Sequence, residues 1–218
     1  MNFKYAIFDM DGTLLESMNI WENICTDYVR YSGLEVREGF VDKFYTLKPM
    51  EGAQLFISEY NLDKTAEQVL KEVNEMVTVK YLNEVVPKNG AEILLKSLKE
   101  RKVKIALATL TDREIVEMIL KKHGLFDYFS VIRTSTEAGK SKKYPDIYNQ
   151  CTNLLGGTAE ETVVFEDSLV AIKTARSAGY FVVGLPDFSN QKCIDEVKAN
   201  ACVFFDSLND FPVEDYFI

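Results

Sequence analysis

Two aspartates near the N-terminus have a spacing and a context that suit catalytic acids. Asp9 and Asp11 directly follow the apolar run 5–8, which predicts a short buried strand, and Gly12 then permits a sharp turn. In an open α/β sheet, ligands bind beyond the carboxyl ends of the strands, where both carboxylates would lie. Two acids there can bind a hard cation, and one can attack phosphorus while the other moves a proton. The competing interpretation is an ordinary Asp-Gly turn with a second aspartate as its cap.

A hydroxyl group follows the second predicted strand. Strand 103–108 runs into Thr109 and Leu110, and a helical pattern comes next. The Thr109 hydroxyl, together with free backbone N–H groups such as that of Leu110, would form a phosphate-binding site at the start of the helix. The alternative is an ordinary helix N-cap by Thr111 or Asp112.

A basic loop leads into a later helix and contains Lys140, Lys142 and Lys143. One lysine that reached the carboxylates would neutralise phosphate oxygens and keep the acids ionised. The alternative is a solvated run of charges.

A second acidic pair ends another predicted strand. The run 162–165 is followed by Glu166 and Asp167, which would lie beside the first pair. Mg²⁺ prefers octahedral oxygen ligands and usually keeps several waters. The predicted metal ligands are Asp9, the Met10 carbonyl, Asp11, Glu166 and Asp167. The alternative for this segment is capping of the next helix by Asp167 or Ser168.

The composition narrows the classes of function. The 218 residues carry a formal net charge of −9, which argues against nucleic acid or an anionic membrane as the main partner. A Ser-His-Asp triad or an HExxH zinc site would have to use the single histidine, His123, and neither pattern is present. His123 precedes Gly124 at the end of a helical pattern, where we expect it to cap the helix. The chemistry is left to Asp, Glu, Lys, Ser and Thr.

The cysteines and the apolar runs indicate the compartment. The four cysteines form no C-x-x-C pair, so we expect reduced thiols. The N-terminus enters a strand at once, without the apolar region of a signal peptide, and no apolar run has transmembrane length. We therefore expect a cytoplasmic protein that acts on a small molecule, as a monomer or weak homodimer.

The elements that must position these residues alternate along most of the chain. Helical patterns separate the strand candidates, which predicts βαβ units and a mostly parallel sheet. The candidates span 4–9, 103–108, 129–132, 162–166, 180–184 and 201–205. Residues 16–82 differ, because they hold helical patterns and no convincing strand. We expect a Rossmann-like three-layer α/β core over 1–15 and 83–218, and an inserted all-helical cap over 16–82 above the C-terminal edge of the sheet.

Together these groups resemble the motifs of the haloacid dehalogenase superfamily of phosphohydrolases and phosphomutases, over the whole chain. The matching segments, in order, are Asp9-Met10-Asp11-Gly12-Thr13, Thr109, Lys142 and Glu166-Asp167-Ser168. Lys142 fits better than Lys140 or Lys143, because Pro145-Asp146 follows it at the expected spacing. The helical insertion is similar to the cap of phosphoglycolate phosphatase and β-phosphoglucomutase relatives.

The resemblance implies a role for each motif residue. Asp9 would be the nucleophile and form an aspartyl-phosphate, while Asp11 would protonate the leaving oxygen and then activate water. Thr109 and Lys142 would hold the phosphate. Closure of the cap would exclude water until it is needed.

The resemblance also implies that Asp167 binds Mg²⁺, while Glu166 acts behind it or through a water. Substrate choice would lie in the cap, where Trp21, Lys48 and Glu51 are the candidates. The alternative for Trp21 is a place in the core of the cap.

We therefore predict a Mg²⁺-dependent phosphatase for a small phosphorylated metabolite. One alternative is a sugar phosphomutase of the β-phosphoglucomutase type. Against it, Trp21 stands where such enzymes carry a cap histidine, and 47–51 contains no arginine to grip a second phosphate. The other alternative is a non-catalytic regulatory or scaffold module, which the loss of Asp9 or Asp11 would have favoured.

Overall fold

A six-stranded parallel sheet forms the centre of the larger part of the molecule. The computed structural model describes residues 2–44, 47 and 49–217. The strands are β1 (Tyr5–Phe8), β2 (Lys104–Thr109), β3 (Val131–Thr134), β4 (Thr162–Glu166), β5 (Phe181–Gly184) and β6 (Val203–Phe204). Their order across the sheet is β3-β2-β1-β4-β5-β6, and every neighbouring pair is parallel. All six predicted strands are confirmed.

The strand order reverses at β1, so its carboxyl end lies between those of β2 and β4. Phe8 is in register with Leu107 of β2 and with Phe165 of β4. The Asp9 N–H then donates to the Phe165 carbonyl at 3.0 Å. A topological switch of this kind opens a crevice beyond the strand ends, which is where ligands bind in such sheets.

Helices make up most of the remaining chain. They are α1 (Met18–Tyr31), α2 (Phe40–Phe44), α3 (Pro49–Tyr60), α4 (Ala66–Glu84), α5 (Ala91–Glu100), α6 (Arg113–Lys122), α7 (Ser135–Ala138), α8 (Asp146–Leu155), α9 (Leu169–Ser177), α10 (Ile194–Asn200) and α11 (Val213–Tyr216). The 3₁₀ turns span Phe126–Tyr128, Ala159–Glu161, Phe188–Cys193 and Leu208–Asp210. Over the described part of the chain, none of these helices has the length and apolarity needed to cross a membrane.

The chain divides into two compact units. The first combines residues 1–18 with 85–218, and the second is 19–84. Predicted limits of 15 and 83 for the core thus become 18 and 85. The second unit is helical throughout its described secondary structure. Its function as a cap stays a prediction.

Each unit has its own apolar core. In the first, Ile7, Val164 and Val182 come from the strands, and Ile147 and Ile172 from α8 and α9. Alternating strands and helices pack in this way because each helix covers an apolar sheet face. This is the predicted Rossmann-like α/β fold.

Aromatic side chains dominate the core of the helical unit. Phe56 of α3 contacts the rings of Tyr28 and Phe40 at centroid distances of 4.9 and 5.0 Å, both edge to face. Phe40 also meets Tyr60 at 5.0 Å. These rings bury a large apolar area per residue, which stabilises a unit of this small size.

The cysteines and the histidine behave as expected. Cys25, Cys151, Cys193 and Cys202 are free thiols. His123 occupies the C-cap position of α6, and its Nε2 lies 3.0 Å from the Val85 carbonyl oxygen. It therefore has a structural partner at a helix end.

Candidate active site

Three buried carboxylates meet at the carboxyl ends of β1 and β4. Asp9, Glu166 and Asp167 each offer one oxygen, and these oxygens lie within 4.8 Å of one another. The parallel register of the two strands brings them together, because Asp9 follows the Phe8–Phe165 pair directly. The exposed fractions of these residues are 6, 0 and 4%. Two distant segments of the chain thus bring together a cluster of oxygen donors that could hold a metal ion.

Lys142 is the cation that enters this cluster. Its Nζ donates to Asp9 Oδ1 and to Glu166 Oε1, and the residue is buried. Lys140 instead forms a half-exposed pair with Asp146 at 2.9 Å, and Lys143 is exposed. Of the three lysines in the loop, Lys142 alone therefore lies against the acids. Its phosphate-binding role stays a prediction.

The charges of the cluster do not balance, because one lysine faces three acids. Burial raises the pKa of Asp9 well above its usual range, and Glu166 and Asp167 raise it further against the opposing effect of Lys142. Burial, with Glu166 beside it, also raises the pKa of Asp167 to about 7. For Lys142, burial lowers the pKa, but the two carboxylates outweigh it, so the pKa lies above its usual value and the amine stays charged. A second cation would return both aspartates to their ionised form.

Asp11 is held by hydroxyl groups. Ser17 Oγ donates to its Oδ1 and Thr111 Oγ1 to its Oδ2, both at 2.7 Å. A longer contact of 3.5 Å joins Thr109 Oγ1 to Oδ2. The candidate metal-ligating group is formed by Asp9, Glu166 and Asp167, and the predicted roles of Asp11 as proton carrier and metal ligand stay predictions.

The backbone between the two aspartates forms a tight hydrogen-bonded turn on Met10. The Met10 carbonyl oxygen accepts the N–H groups of Leu14 and Leu15, both at 2.9 Å. These bonds engage both lone pairs of the carbonyl in this structure, and its role as a metal ligand stays a prediction. The tight turn at Gly12 causes these bonds, since its φ of 84° directs the following N–H groups back toward Met10.

Gly12 also allows the turn to approach the metal-ligating group. A Cβ atom at this position would lie 2.5 Å from Asp167 Oδ2, a distance that no side chain tolerates. Thr13 then donates from Oγ1 to Asp167 Oδ1 at 3.1 Å. The motif therefore needs glycine for both its conformation and its proximity to Asp167.

Thr109 and Leu110 end β2 at the same edge of the sheet. Thr109 is the last residue of the strand and is fully buried, and its Oγ1 accepts the Thr111 N–H at 3.1 Å. Leu110 follows with an exposed side chain. Asp112 has the N-cap position of α6, but its side chain makes no capping hydrogen bond. Both predicted phosphate-binding residues thus stand at the start of α6, and their role remains untested.

The donor set fits a hard divalent cation. Asp9, Glu166 and Asp167 supply carboxylate oxygens, which Mg²⁺ prefers. Burial, together with the neighbouring carboxylates, raises the pKa of Asp9 and of Asp167, and a bound cation would oppose both shifts. Asp167 is fixed from two sides, by Thr13 and by Asn190, whose Nδ2 donates to the Asp167 carbonyl at 3.0 Å. Ligands held in this way keep their orientation when a metal binds.

The predicted specificity residues belong to the helical unit. Trp21 is half-buried in α1, and its Nε1 donates to the Tyr81 hydroxyl at 2.7 Å. Glu51 lies exposed in the first turn of α3. Lys48 falls outside the described residues. Substrate selection by these side chains stays a prediction.

Sequence analysis did not identify several residues that form hydrogen bonds with Asp11, Glu166 or Asp167. They are Ser17, Thr111, Tyr148 and Asn190, with Thr13 quoted in the first motif but given no role. Hydroxyl and amide side chains are common beside turns, so residue type gives little signal. Thr111, two residues after Thr109, carried the best available signal, yet the same position also suited an N-cap.

The comparisons with known proteins agree with this geometry. The model of the haloacid dehalogenase-like hydrolase family matches residues 6–185. A phosphorylated carbohydrates phosphatase of Thermotoga maritima is 29% identical over 80% of this chain and 81% of that protein. The fructose-1-phosphate phosphatase of Escherichia coli is 28% identical, covering 81% of this chain and 94% of its own.

A solved structure extends the comparison of the fold. The crystal structure of β-phosphoglucomutase from Clostridium difficile has a TM-score of 0.73 at 20% identity, over 98% of this chain and 95% of that one. At this identity the similarity concerns the fold. The expected enzyme class, a phosphoric monoester hydrolase, is confirmed by the family and by the named phosphatases. Because the family model matches well over half of its residues, this chain belongs to the haloacid dehalogenase-like hydrolases.

Proposed function

We propose that this protein is a Mg²⁺-dependent phosphatase that hydrolyses a small phosphorylated metabolite through an aspartyl-phosphate on Asp9. The observation that carries the proposal is the position of Lys142 Nζ, which bridges Asp9 and Glu166 inside the buried acidic cluster. A phosphoryl group is an anion, so an anionic nucleophile can approach it where cations surround the site.

In the first step, a carboxylate oxygen of Asp9 forms a bond to phosphorus and the bond from phosphorus to the leaving oxygen breaks. Lys142 binds the phosphoryl oxygens and offsets their charge. Asp11 gives a proton to the leaving oxygen, which departs as an alcohol. The hydroxyl groups of Ser17 and Thr111 support this role, since they fix the orientation of the Asp11 carboxyl group.

In the second step, water attacks the phosphorus of the aspartyl-phosphate. Asp11, now ionised, accepts the proton of that water, and the bond between phosphorus and Asp9 breaks. Inorganic phosphate and the free Asp9 carboxylate are the products, and Asp11 again holds its proton. The cycle is therefore closed, with atoms and charges balanced.

Asp9, Glu166 and Asp167 are the residues that would hold the magnesium ion. Bound Mg²⁺ supplies positive charge that stabilises the transferring phosphoryl group and lowers the pKa of the nucleophile. The protein's part is to keep these residues in place: for Asp167, Thr13 donates to the carboxylate and Asn190 to the main-chain carbonyl.

The relatives guide the choice of substrate. Two of them carry names of phosphatases for phosphorylated carbohydrates and for fructose-1-phosphate. We therefore place sugar phosphates first among the small metabolites to be tried. A phosphomutase would in addition need a group that grips a second phosphate, and the candidate Lys48 is not among the described residues.

The test is phosphate release from a panel of phosphorylated metabolites, with Mg²⁺ and with EDTA. We expect release that requires Mg²⁺ and disappears in Asp9→Asn, while Asp146→Asn, which alters an acid of the half-exposed Lys140 pair, retains it. No release from any compound, with the protein folded and Mg²⁺ present, would reject the hydrolase. Interconversion of sugar phosphates without net release would instead establish the mutase.

A further inference from the structure

We propose that Tyr148 is a positioning residue, which holds Glu166 and thereby fixes Lys142 where it binds the phosphoryl group. The proposal rests on the function proposed above and adds a residue that none of the recognised motifs contains. Tyr148 packs with Ile147, Cys151 and Leu155 of α8 in the apolar core, and its hydroxyl in addition reaches a carboxylate of the acidic cluster.

The contacts of Glu166 carry the proposal. Tyr148 is fully buried, and its hydroxyl donates to Glu166 Oε1 at 2.9 Å. The same oxygen accepts the Lys142 Nζ, and the other oxygen accepts the Ser168 N–H at 3.3 Å. Lys142 Nζ lies 5.9 Å from the centroid of the Tyr148 ring. The phenol thus donates to the same Glu166 oxygen that accepts the Lys142 amine.

The Glu166 carboxylate needs such a partner because its surroundings are negative. It has no exposure to water, and Asp9 and Asp167 are its neighbours. A buried carboxylate that loses one of its donors turns toward the remaining positive charge. Without the phenol, Glu166 would turn toward Lys142 and draw its amine away from Asp9.

Tyr148 is suited to donating and not to accepting. Its hydroxyl is the donor in the contact with Glu166 Oε1, an ionisable carboxylate that offers only acceptor oxygens when charged. A tyrosine hydroxyl keeps its proton at neutral pH and does not act as a second base beside Asp11. Its contribution is geometric, and it contacts no atom that reacts.

A second buried tyrosine provides a matched control. The Tyr180 ring lies 6.0 Å from the Tyr148 ring, and its hydroxyl bonds to Thr152 Oγ1 and Asn149 Oδ1, both at 2.9 Å. These partners are uncharged and lie outside the acidic cluster. Tyr148→Phe and Tyr180→Phe therefore remove the same hydroxyl group from the same core, but one of them removes a contact to Glu166.

The experiment measures the binding of inorganic phosphate to the Mg²⁺-loaded protein by calorimetry, with kcat and KM for the best compound of the panel. We expect Tyr148→Phe to weaken phosphate binding and lower kcat/KM by about tenfold, the loss of one hydrogen bond to a charged group. Tyr180→Phe should stay within about twofold in both quantities. Equal effects of the two substitutions would overturn the proposal.

A double-variant comparison tests whether Tyr148 acts through Glu166. In the Glu166→Gln background, the further change Tyr148→Phe should alter phosphate binding by less than about twofold, because the contact partner has already changed. Additive effects would contradict the proposal. Phosphate binding also separates the two hypotheses: weaker phosphate binding in Tyr148→Phe supports the positioning role even if the wild type hydrolyses no compound.

Discussion

Lys88 and Lys142 each pair with a different buried aspartate, and the two pairs differ in how the lysine charge is balanced. Lys88 donates to Asp187 at 2.7 Å and to the Pro186 carbonyl at 3.0 Å. Asp187 also accepts the N–H and the hydroxyl of Ser189, both at 2.9 Å. One buried acid here meets one lysine, and the second acid near the amine, Glu16 at 4.0 Å, is more than half exposed to water.

Lys142 has the opposite surroundings. It faces Asp9 and Glu166 together, and Asp167 lies in the same cluster, so negative charge is in excess. Breaking a balanced buried pair destabilises the fold. A buried cluster with excess acids instead has raised carboxyl pKa values, and it suits the binding of a further cation together with an anionic ligand. If the proposed function holds, excess negative charge and not burial distinguishes the Lys142 cluster from a structural ion pair such as Lys88–Asp187.

Removal of Lys142 should have the largest effect. Lys142→Met leaves the phosphoryl group without its cationic partner, and we expect kcat/KM to fall by roughly a thousandfold, as for other groups that stabilise transition-state charge. Lys140→Met in the same loop serves as the control and should stay within about twofold. Steady-state kinetics on the best phosphate ester measure both. Near-normal turnover of the Lys142→Met enzyme would contradict the proposed difference between Lys142, as the cation for the phosphoryl group, and Lys88, as the partner of a structural ion pair.

Magnesium should stabilise the unbalanced cluster. A ligand present at a hundred times its dissociation constant raises the free energy of unfolding by about 2.7 kcal/mol. For a chain of this size, that gain raises Tm by about 5 to 10 °C. We expect this shift to disappear in Asp167→Asn and to persist in Asp187→Asn, whose acid belongs to the balanced pair. Thermal unfolding with Mg²⁺ and with EDTA gives the comparison.

The magnesium effect should grow with pH. The folded-state pKa of Asp167 is about 7, above the ordinary 3.8, so the metal-free fold holds a proton that the unfolded chain has released. Protonated Asp167 therefore contributes to the stability of the metal-free fold, fully below about pH 4, and this contribution is lost as the pH rises through about 7. Mg²⁺ competes with the same proton, and we therefore expect a larger Tm shift at pH 8 than at pH 5. Equal shifts at both values would contradict the assignment of Asp167 to the metal.

Breaking the balanced pair should affect stability more than catalysis. Lys88 is 13% exposed in its side chain and Asp187 2%, so Lys88→Met leaves a nearly buried carboxylate without its cation. We expect a loss of about 3 kcal/mol in the free energy of unfolding, at the lower end of the range for broken buried pairs. Chemical denaturation measures it, with the exposed Lys4 of the Lys4–Glu161 pair replaced by methionine as control. A loss in kcat as large as that of Lys142→Met would remove the contrast.

The sequence predicts the fold and the strand-end residues because these follow from local patterns. Six apolar runs separated by helical patterns are enough for a parallel sheet, and parallel strands bring their carboxyl ends to one edge. The choice of Lys142 over Lys140 and Lys143, made from the spacing to Pro145-Asp146, agrees with its burial against the acids.

What the sequence could not predict depends on atoms brought together by the turn and by distant helices. The turn at Gly12 directs two backbone N–H groups onto the carbonyl of Met10, a contact that residue type alone does not indicate. Tyr148 has the helical spacing of an ordinary core residue. Its hydroxyl contact with Glu166 joins α8 to the end of β4, which lies elsewhere in the sequence. Hydrogen bonds of this kind have no periodic signature.

The smallest effect should come from the hydroxyl groups that hold Asp11. Thr111→Val removes a 2.7 Å bond to this carboxylate while keeping the side-chain volume. We expect kcat to fall about fivefold, the equivalent of roughly 1 kcal/mol, with KM little changed. Thr174→Val, whose hydroxyl bonds to the Val170 carbonyl in α9, is the control. An unchanged kcat for Thr111→Val would show that Asp11 needs no such support.

The central claim, that Asp9 carries the phosphoryl group, is tested most directly by acid quenching and peptide mass spectrometry. The Asp11→Asn variant with p-nitrophenyl phosphate is the suitable system, because this leaving group needs no proton while the breakdown of the intermediate is slowed. We predict one phosphoryl group on the peptide that contains Asp9, labile to hydroxylamine, and none in Asp9→Asn/Asp11→Asn. Release of p-nitrophenol with no phosphorylated Asp9, or with the phosphoryl group on another residue, would contradict the account.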